Sequence, residues 1–430
     1  MLFKDISIVD EEFNIKNHMY LGVKDNIIAY LDDVPPEAKN KFSRIYKGKG
    51  KLLMPGFVNN HAHSPMTLMR GYGENMVLSD WLNKRIFPFE AKLKGEDVYW
   101  GTLLAICESL RFGITSTTDM YYFSEDMAKA ILETGVKNNL SRSIVNFQGE
   151  KLFNLEGAKE MRYMFENYHM KGDGRLRIDM SLHGEYTSDE NTVRELSEYT
   201  KAIGANMHVH VSETLKEHEE CKKKYGKTPT AYLSDLGLFD TCTTAAHCVH
   251  VEDKDMEILK EKKVTVASNP MSNLKLASGV ANVPELLKRG INVTIGTDSV
   301  ASNNSLNFLE EMKVFSLVSK MAFKDPTYVT TKETVMAATI NGARAQGRYD
   351  TGVIKEGMRA DLIVLDIDKP NMYPAHSLLS NIVYANSGAD VLLTMVEGKV
   401  LYEEGTYFTL DVKKIIAEAE KAKTRILSLI

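Results

Sequence analysis

The stretch GFVNNHAH, residues 56–63, begins on apolar and small residues and ends on two histidines one position apart. On an extended strand residues i and i+2 point to the same side, so His61 and His63 can aim two imidazoles at one point. Two imidazoles do not close a site for an ion, and the remaining ligands must arrive from other parts of the chain.

Seven further short runs also carry a polar residue at or near their ends. They are GITSTTDM (113–120), SRSIVNF (141–147), LRIDMSLHG (176–184), ANMHVHV (205–211), CTTAAHCVH (242–250), VTVASN (264–269) and NVTIGTDS (292–299). Helical periodicity occupies several of the intervals, at Val98–Phe112, Asn191–Ile203 and Val283–Lys288. Short strands alternating with amphipathic helices predict βα units. An open sheet would string the polar endings His61, Asp119, Asn146, His183, His210, His247, Asn269 and Asp298 along a line. A barrel gathers them at one mouth. The glycine-rich phosphate loop of a doubly wound sheet is missing after the first run. The sequence therefore predicts an α/β fold in which residues 57–352 form a (β/α)8 TIM barrel.

The flanks read differently. Residues 1–56 and 353–408 consist of short strand-like runs broken by glycine turns, too many for a ninth βα unit. They are expected to pair into one small discontinuous β-sandwich beside the barrel. Residues 409–430 repeat apolar side chains at helical spacing, through Val412, Ile415, Ile416, Ala419, Ala422 and Ile426. This predicts a terminal helix docked through one face.

Composition limits the partners. The 430 residues are 43% hydrophobic and 26% charged, in the globular range, with a formal charge of -5 that gives no general attraction to a nucleic acid polymer or an anionic membrane. The start, MLFKDISIVDEEF, has no long apolar stretch, so neither a secretory signal nor a membrane span is expected and the setting is read as cytoplasmic. Cys107, Cys221, Cys242 and Cys248 form no CxxC pair and are expected to be core thiols. A homo-oligomer is left open.

The strand endings supply the chemistry. Three imidazoles and a carboxylate suit one divalent cation, zinc by default, with iron, nickel or manganese able to use the same donors. His61, His63 and Asp298 are candidate ligands; in NMHVHVSETLKEHEE, His208 and His210 share a face, and alternation alone does not choose between them. Glu213 follows closely and can carry protons, or serve only as an acid at a helix start. His218 reads as solvated. His247 lies nearer the strand end than His250 and is the one expected to face the mouth. The fourth strand offers no lysine to bridge two metals, which favours a mononuclear site. The segment Pro65–Lys94 reads as a long loop whose Met66, Leu68, Met69, Met76, Leu78, Trp81 and Phe87 can wall an apolar pocket or pack on a neighbouring subunit.

These strings, with PMTLMRG, AHCVH, SNPMSNLKLASG and TIGTDSVASNNSLN, resemble the amidohydrolase superfamily. The likeness is to its S-adenosylhomocysteine/5'-methylthioadenosine deaminase and chlorohydrolase-like branch, and it spans nearly the whole chain. The resemblance implies a metal-dependent deaminase of a 6-aminopurine nucleoside, with a free nucleobase or s-triazine aminohydrolase as the alternative. It implies that His61, His63, His210 and Asp298 bind the ion, that Glu213 shuttles protons and that His247 orients the attacking water. Glu90 matches a glutamate that holds ribose hydroxyls, His183 a histidine that touches the purine, and Arg142 an arginine near the distal end of the substrate. Trp81 is expected among the substrate contacts. SLHGEY departs from the commoner His-Ser-Pro pattern, and Ser268 stands where many relatives carry another polar residue.

Overall fold

The computed structural model describes residues 1–37 and 42–430. Eight parallel strand positions form the barrel: Phe57–Ala62, Ile114–Met120, Lys137–Ser141, a fourth divided into Leu176–Ile178 and Met180–Leu182, then Met207–Val211, Thr243–His247, Thr265–Ser268 and Val293–Ile295. The fourth strand divides where it changes neighbours. Asp179 N–H donates to Leu140 on one side at 2.9 Å, and Met180 N–H donates to Asn206 on the other at 2.9 Å.

The ring closes between the eighth and first strands. Asp298 N–H donates to His61 C=O at 2.9 Å, and Asn59 joins Thr297 through bonds of 2.7 and 3.0 Å. Gly296 makes this approach possible: a Cβ there would lie 2.3 Å from Asn269 Oδ1 and 2.7 Å from His61 Cβ. The closing hydrogen bonds thus bring the acid of the last strand to the histidines of the first.

The third strand corrects the sequence expectation. It runs over Lys137–Ser141, and SRSIVNF leaves the sheet after Ser141 apart from one bridge at Ile144 to Leu182. The observed strand, KNNLS, is entirely buried although mostly polar, so no hydrophobic pattern marks it. Most of its polar groups are satisfied internally, Asn138 Oδ1 being the exception. Lys137 Nζ lies 2.5 Å from Asp361 and 3.2 Å from Glu397, while Asn139 Nδ2 donates to Asp179 at 2.9 Å and Arg348 donates to Asn139 Oδ1 at 3.2 Å.

Both chain ends meet in one mixed sheet forming the auxiliary β-sandwich. Its path runs Thr406–Tyr407, Lys399–Glu403, Val391–Val396, Leu362–Asp366, Lys51–Pro55, Leu2–Val9, Ile15–Lys24, Ile27–Asp32, with Ile45–Lys47 also against Leu2–Val9. Phe3, Ile8, Leu53, Val364 and Leu393 share its core. Lys51–Pro55 is followed within two residues by the first barrel strand, so this sheet anchors the strand that carries His61.

Helices Gly95–Arg111, Glu190–Ile203 and Val283–Lys288 lie where periodicity put them. The last helix, Val412–Leu427, buries Ile415, Ala419, Ala422 and Ile426, but Ile416 points to solvent at 49% exposure. The segment after His63 is largely helical rather than a loop, with a 3-10 turn at Ser64–Met69 and consecutive turns at Leu78–Trp81, Leu82–Ile86 and Phe87–Glu90. Its apolar positions 78, 81, 82, 86 and 89 recur at three and four residues, the missed signal of a helix. Cys107, Cys221 and Cys248 are buried free thiols, whereas Cys242, at the start of its strand, is exposed. Among the described residues no helix is long and apolar enough to cross a membrane.

Removing Lys137 strands the buried Asp361 carboxylate, so Lys137→Ala is expected to destabilise the chain by about 3–5 kcal/mol, measured by denaturant unfolding.

Candidate metal centre and its cleft

At the mouth, strand ends bring His61, His63, His210, His247 and Asp298 together. His61 Nε2 lies 3.5 Å and His63 Nε2 3.3 Å from Asp298 Oδ1. Donor atoms around a tetrahedral ion with bonds of ~2.0–2.1 Å lie about 3.3–3.5 Å apart, so these spacings fit an ion without rearrangement. Two overlapping sets, His61–His63–Asp298 and His61–His210–His247, each have ligand atoms within 4.8 Å of one another. His61 Nε2 is buried and has no hydrogen-bond partner. An orphaned imidazole nitrogen beside a carboxylate is the environment a cation would complete.

The outer nitrogens are held so that the inner ones face this point. His63 Nδ1–H donates to Met120 C=O at 2.6 Å and His210 Nδ1–H to His183 C=O at 2.6 Å. His61 Nδ1 lies 3.0 Å from His208 Nε2. His210 stands in the cluster, whereas His208, fully buried, lies against the outer nitrogen of His61. Such outer partners fix ring orientation and tautomer.

Charge favours a cation as well. Burial, only partly opposed by Asp298, pulls the His61 imidazole down to about 4, and burial holds His210 well below its usual range. His63 moves the other way: burial opposes protonation, but the Asp298 contact outweighs it. Burial also works against the Asp298 carboxylate, yet its contacts with His61 and His63 hold it well below the usual range. Its Oδ2 accepts from Ser272 Oγ at 2.6 Å and Ser302 Oγ at 3.1 Å. A fixed carboxylate beside His61 and His210, whose charged forms burial disfavours, makes a cage suited to a cation.

Backbone strain gathers at the same place. Ser212, His247, Cys248 and Asp298 adopt φ values of 49°, 71°, 51° and 59°, which non-glycine residues avoid. These turns aim side chains from strand ends back over the mouth. His247 Nδ1–H donates to Asn273 Oδ1 at 2.9 Å, leaving Nε2 3.8 Å from Glu213 Oε2. Burial is the first cause of a raised Glu213 pKa, with His247 opposing and Asp298 reinforcing it. His250 is directed elsewhere, onto Ser278 C=O at 2.8 Å. His218, expected in solvent, is buried between Ser212 Oγ at 3.1 Å and Glu252 at 3.2 Å.

A cleft extends from the cage, lined on one side by Met66, Leu78, Trp81, Leu82, Ile86 and Phe87. Glu90 lies in the same cleft and accepts from Tyr121 O–H at 2.7 Å; burial raises its carboxyl to about 7, opposed by Tyr121 and His63. His183 also lines the cleft, and its Nδ1 is buried without a partner. Burial pulls that ring down to about 4, so it is neutral at pH 7. Arg142 is not brought into the lining: it pairs with Glu160 behind Tyr122, whose ring lies 5.7 Å from the guanidinium. Ser268 is buried one residue before Asn269, and neither lines the cleft.

The amidohydrolase family profile matches residues 52–401. The 5-methylthioadenosine/S-adenosylhomocysteine deaminase of Thermoanaerobacter pseudethanolicus is 40% identical over 98% of each chain. The 5'-deoxyadenosine deaminase of Methanosarcina mazei is 39% identical over 93% of this chain and 92% of its own. Among solved structures, an adenosine deaminase from Xanthomonas campestris with bound zinc superposes with a TM-score of 0.93 at 28% identity, covering 99% of this chain and 98% of that one.

His208→Ala is expected to weaken zinc binding about 10–100-fold by freeing the His61 ring, read by competition with a chelator.

Proposed function

The chain belongs to the amidohydrolase family, in the branch of the methylthioadenosine and S-adenosylhomocysteine deaminases, and on that premise we propose that it hydrolyses the C6 amino group of a purine nucleoside. The observation that carries this reading is Glu213, a largely buried acid 3.8 Å from His247 beside the cluster of His61, His63, His210 and Asp298. A structural metal site has no use for a proton carrier at its edge.

His61, His63, His210 and Asp298 are assigned to one divalent cation, with zinc as the expected metal; zinc is also the ion bound by the Xanthomonas campestris adenosine deaminase. A cation held there acidifies water and makes it a nucleophile at neutral pH. Asp298 Oδ1 takes the first water proton while its Oδ2 stays fixed by Ser272 and Ser302. Glu213, whose proton affinity burial raises, is assigned the proton given to N1 as the C6–O bond forms. Asp298 passes its proton to the amino group, the C6–N bond breaks and ammonia leaves. Glu213 recovers a proton from the new C6 hydroxyl, leaving the keto product. His247 Nε2, oriented by Asn273, keeps the water in line with C6.

Glu90 and His183 support a nucleoside over a free base. A carboxylate can accept from both hydroxyls of a ribose diol, and the unpartnered His183 Nδ1 offers the ring one hydrogen bond. The wall of Met66, Leu78, Trp81, Leu82, Ile86 and Phe87 suits an apolar 5' substituent. Among the described residues no lysine or arginine lines the cleft, and Arg142 is paired with Glu160.

Ammonia release from 5'-methylthioadenosine, S-adenosylhomocysteine, adenosine, guanine and an aminotriazine, compared with the zinc enzyme, tests the assignment. 5'-Methylthioadenosine is expected to exceed S-adenosylhomocysteine in kcat/KM by about tenfold or more, since the latter leaves a carboxylate unpaired. Preference for guanine would overturn the nucleoside reading. Glu213→Gln should lower kcat by ~10²–10⁴-fold with little change in KM.

Glu90 gives a pH signature. Its carboxyl titrates near 7, so the diol meets a full acceptor above that pH and a weakened one below it. The kcat/KM preference for 5'-methylthioadenosine over its 2',3'-dideoxy analogue should therefore shrink as pH falls through about 7, and should not vary with pH in Glu90→Gln. Taking this ratio cancels titrations at the metal centre. A constant ratio in the unaltered protein would remove the diol contact.

A further inference from the structure

Glu217 is a buried acid that the chemistry above does not use, and it lies behind the turn that carries Glu213. Its Oε1 accepts from Ser212 N–H at 2.6 Å, and its Oε2 accepts from Glu213 N–H at 2.8 Å and Thr214 N–H at 3.3 Å. Three consecutive amides converge on one carboxyl group that is 9% exposed.

Helix capping does not account for this arrangement. The helix Leu215–Tyr225 has Thr214 as its N-cap, and a capping box requires Glu217 to accept only from Thr214 N–H. That bond is the longest of the three. The two shorter ones reach back onto Ser212 and Glu213, outside the helix. Ser212 is also the residue at φ 49°, a conformation that persists only where its surroundings enforce it. His250 N–H donates to Ser212 C=O at 3.0 Å, and the Ser212 hydroxyl meets His218 Nδ1 at 3.1 Å. Every polar group of Ser212 is therefore tied.

The neighbouring Glu185 belongs to the same arrangement. It is 1% exposed, and burial first, then the proximity of Glu217, pushes its carboxyl to about 9. As a neutral acid it adds no second charge opposite the amides. It also lies within SLHGEY, where this chain departs from the branch pattern.

We propose that Glu217 is a positioning residue for the reaction: its carboxyl group fixes the Ser212–Thr214 turn and thereby the Glu213 side chain, so that its loss slows turnover without loosening substrate or metal. This rests on the reading of Glu213 as proton carrier. The group held is one side chain at the end of a turn, and displacements of about 1 Å at such a group suffice to cost ~10²-fold in rate.

The test compares Glu217→Gln, Glu217→Asp, Thr214→Ala, Glu213→Gln and the double variant E213Q/E217Q, all as full chains loaded with zinc. Glu217→Gln is expected to lower kcat about 10–100-fold, with KM for 5'-methylthioadenosine within about twofold and zinc content unchanged. Amide exchange at Ser212–Thr214 should quicken by about tenfold or more. Thr214→Ala removes the cap of the same helix but keeps the three amides paired; it should lower Tm and leave kcat within about twofold. In the Glu213→Gln background, adding E217Q should change the residual kcat by less than about twofold, because the group being positioned is already gone. Glu217→Asp keeps the carboxyl group but is too short for all three amides, and gives the same readouts should the Gln variant not fold. Unaltered kcat in Glu217→Gln, an equal loss in both backgrounds, or a kcat loss reproduced by Thr214→Ala would each overturn the inference. Full turnover by Glu213→Gln would overturn the proton-carrier reading and this inference with it, whereas an inactive Glu213→Gln beside a fully active Glu217→Gln overturns the inference alone.

Discussion

The closing hydrogen bonds between the first and eighth strands are the constraint on which the rest of the site depends. Asp298 N–H to His61 C=O is a backbone bond of 2.9 Å, and it belongs to the barrel before it belongs to any chemistry. Through it the seam of the fold and the centre of the cation cage become the same few residues. Gly296 allows the approach, since any side chain there would strike Asn269 and His61. The Asn59–Thr297 pair then fixes the register one step below. A slip of one residue would turn Asp298 away from the interior and leave His61 and His63 without a counter-charge.

Around that seam burial disfavours the charged forms of His61 and His210, and hydrogen bonds orient the rings. Desolvation penalises the imidazolium more strongly than the Asp298 contact favours it at His61, whereas at His63 the balance falls the other way. Orientation falls to backbone carbonyls at Met120 and His183 and to His208. Burying so many polar rings near one acid costs folding free energy, and cation binding returns part of it. Four strand-end residues held at left-handed φ belong to the same balance, since strain of this kind persists where packing and hydrogen bonds over-determine it.

Much of this is legible in the sequence, and the exceptions have physical causes. His61, His63, His247 and Asp298 can be found because each ends a run of small or apolar residues. The choice of His210 over His208 cannot be made from alternation, because both point into the barrel at different depths; it needs the His61–His208 contact. The third strand escapes a hydrophobic pattern because KNNLS buries a lysine and two asparagines whose partners, Asp361, Asp179 and Arg348, lie far away in sequence. Glu217 carries only a capping-box signal, TLKE over residues 214–217, which points to the helix and not to the turn before it. Arg142 lies beside Tyr122, one residue past the third strand, but nothing local in the sequence announces its pairing with Glu160.

Glu213 and Glu90 show how one physical effect can serve two purposes within a single cleft. Burial raises both carboxyls. Glu213 has weak donors around it, a Ser278 hydroxyl at 3.5 Å and an imidazole at 3.8 Å, so the protonated form is the one its surroundings favour. Glu90 receives a 2.7 Å bond from the Tyr121 hydroxyl, and a bound diol would add two more donors to the same carboxylate. Each such donor favours the charged form, so on the proposed reading a bound diol would lower the proton affinity of Glu90.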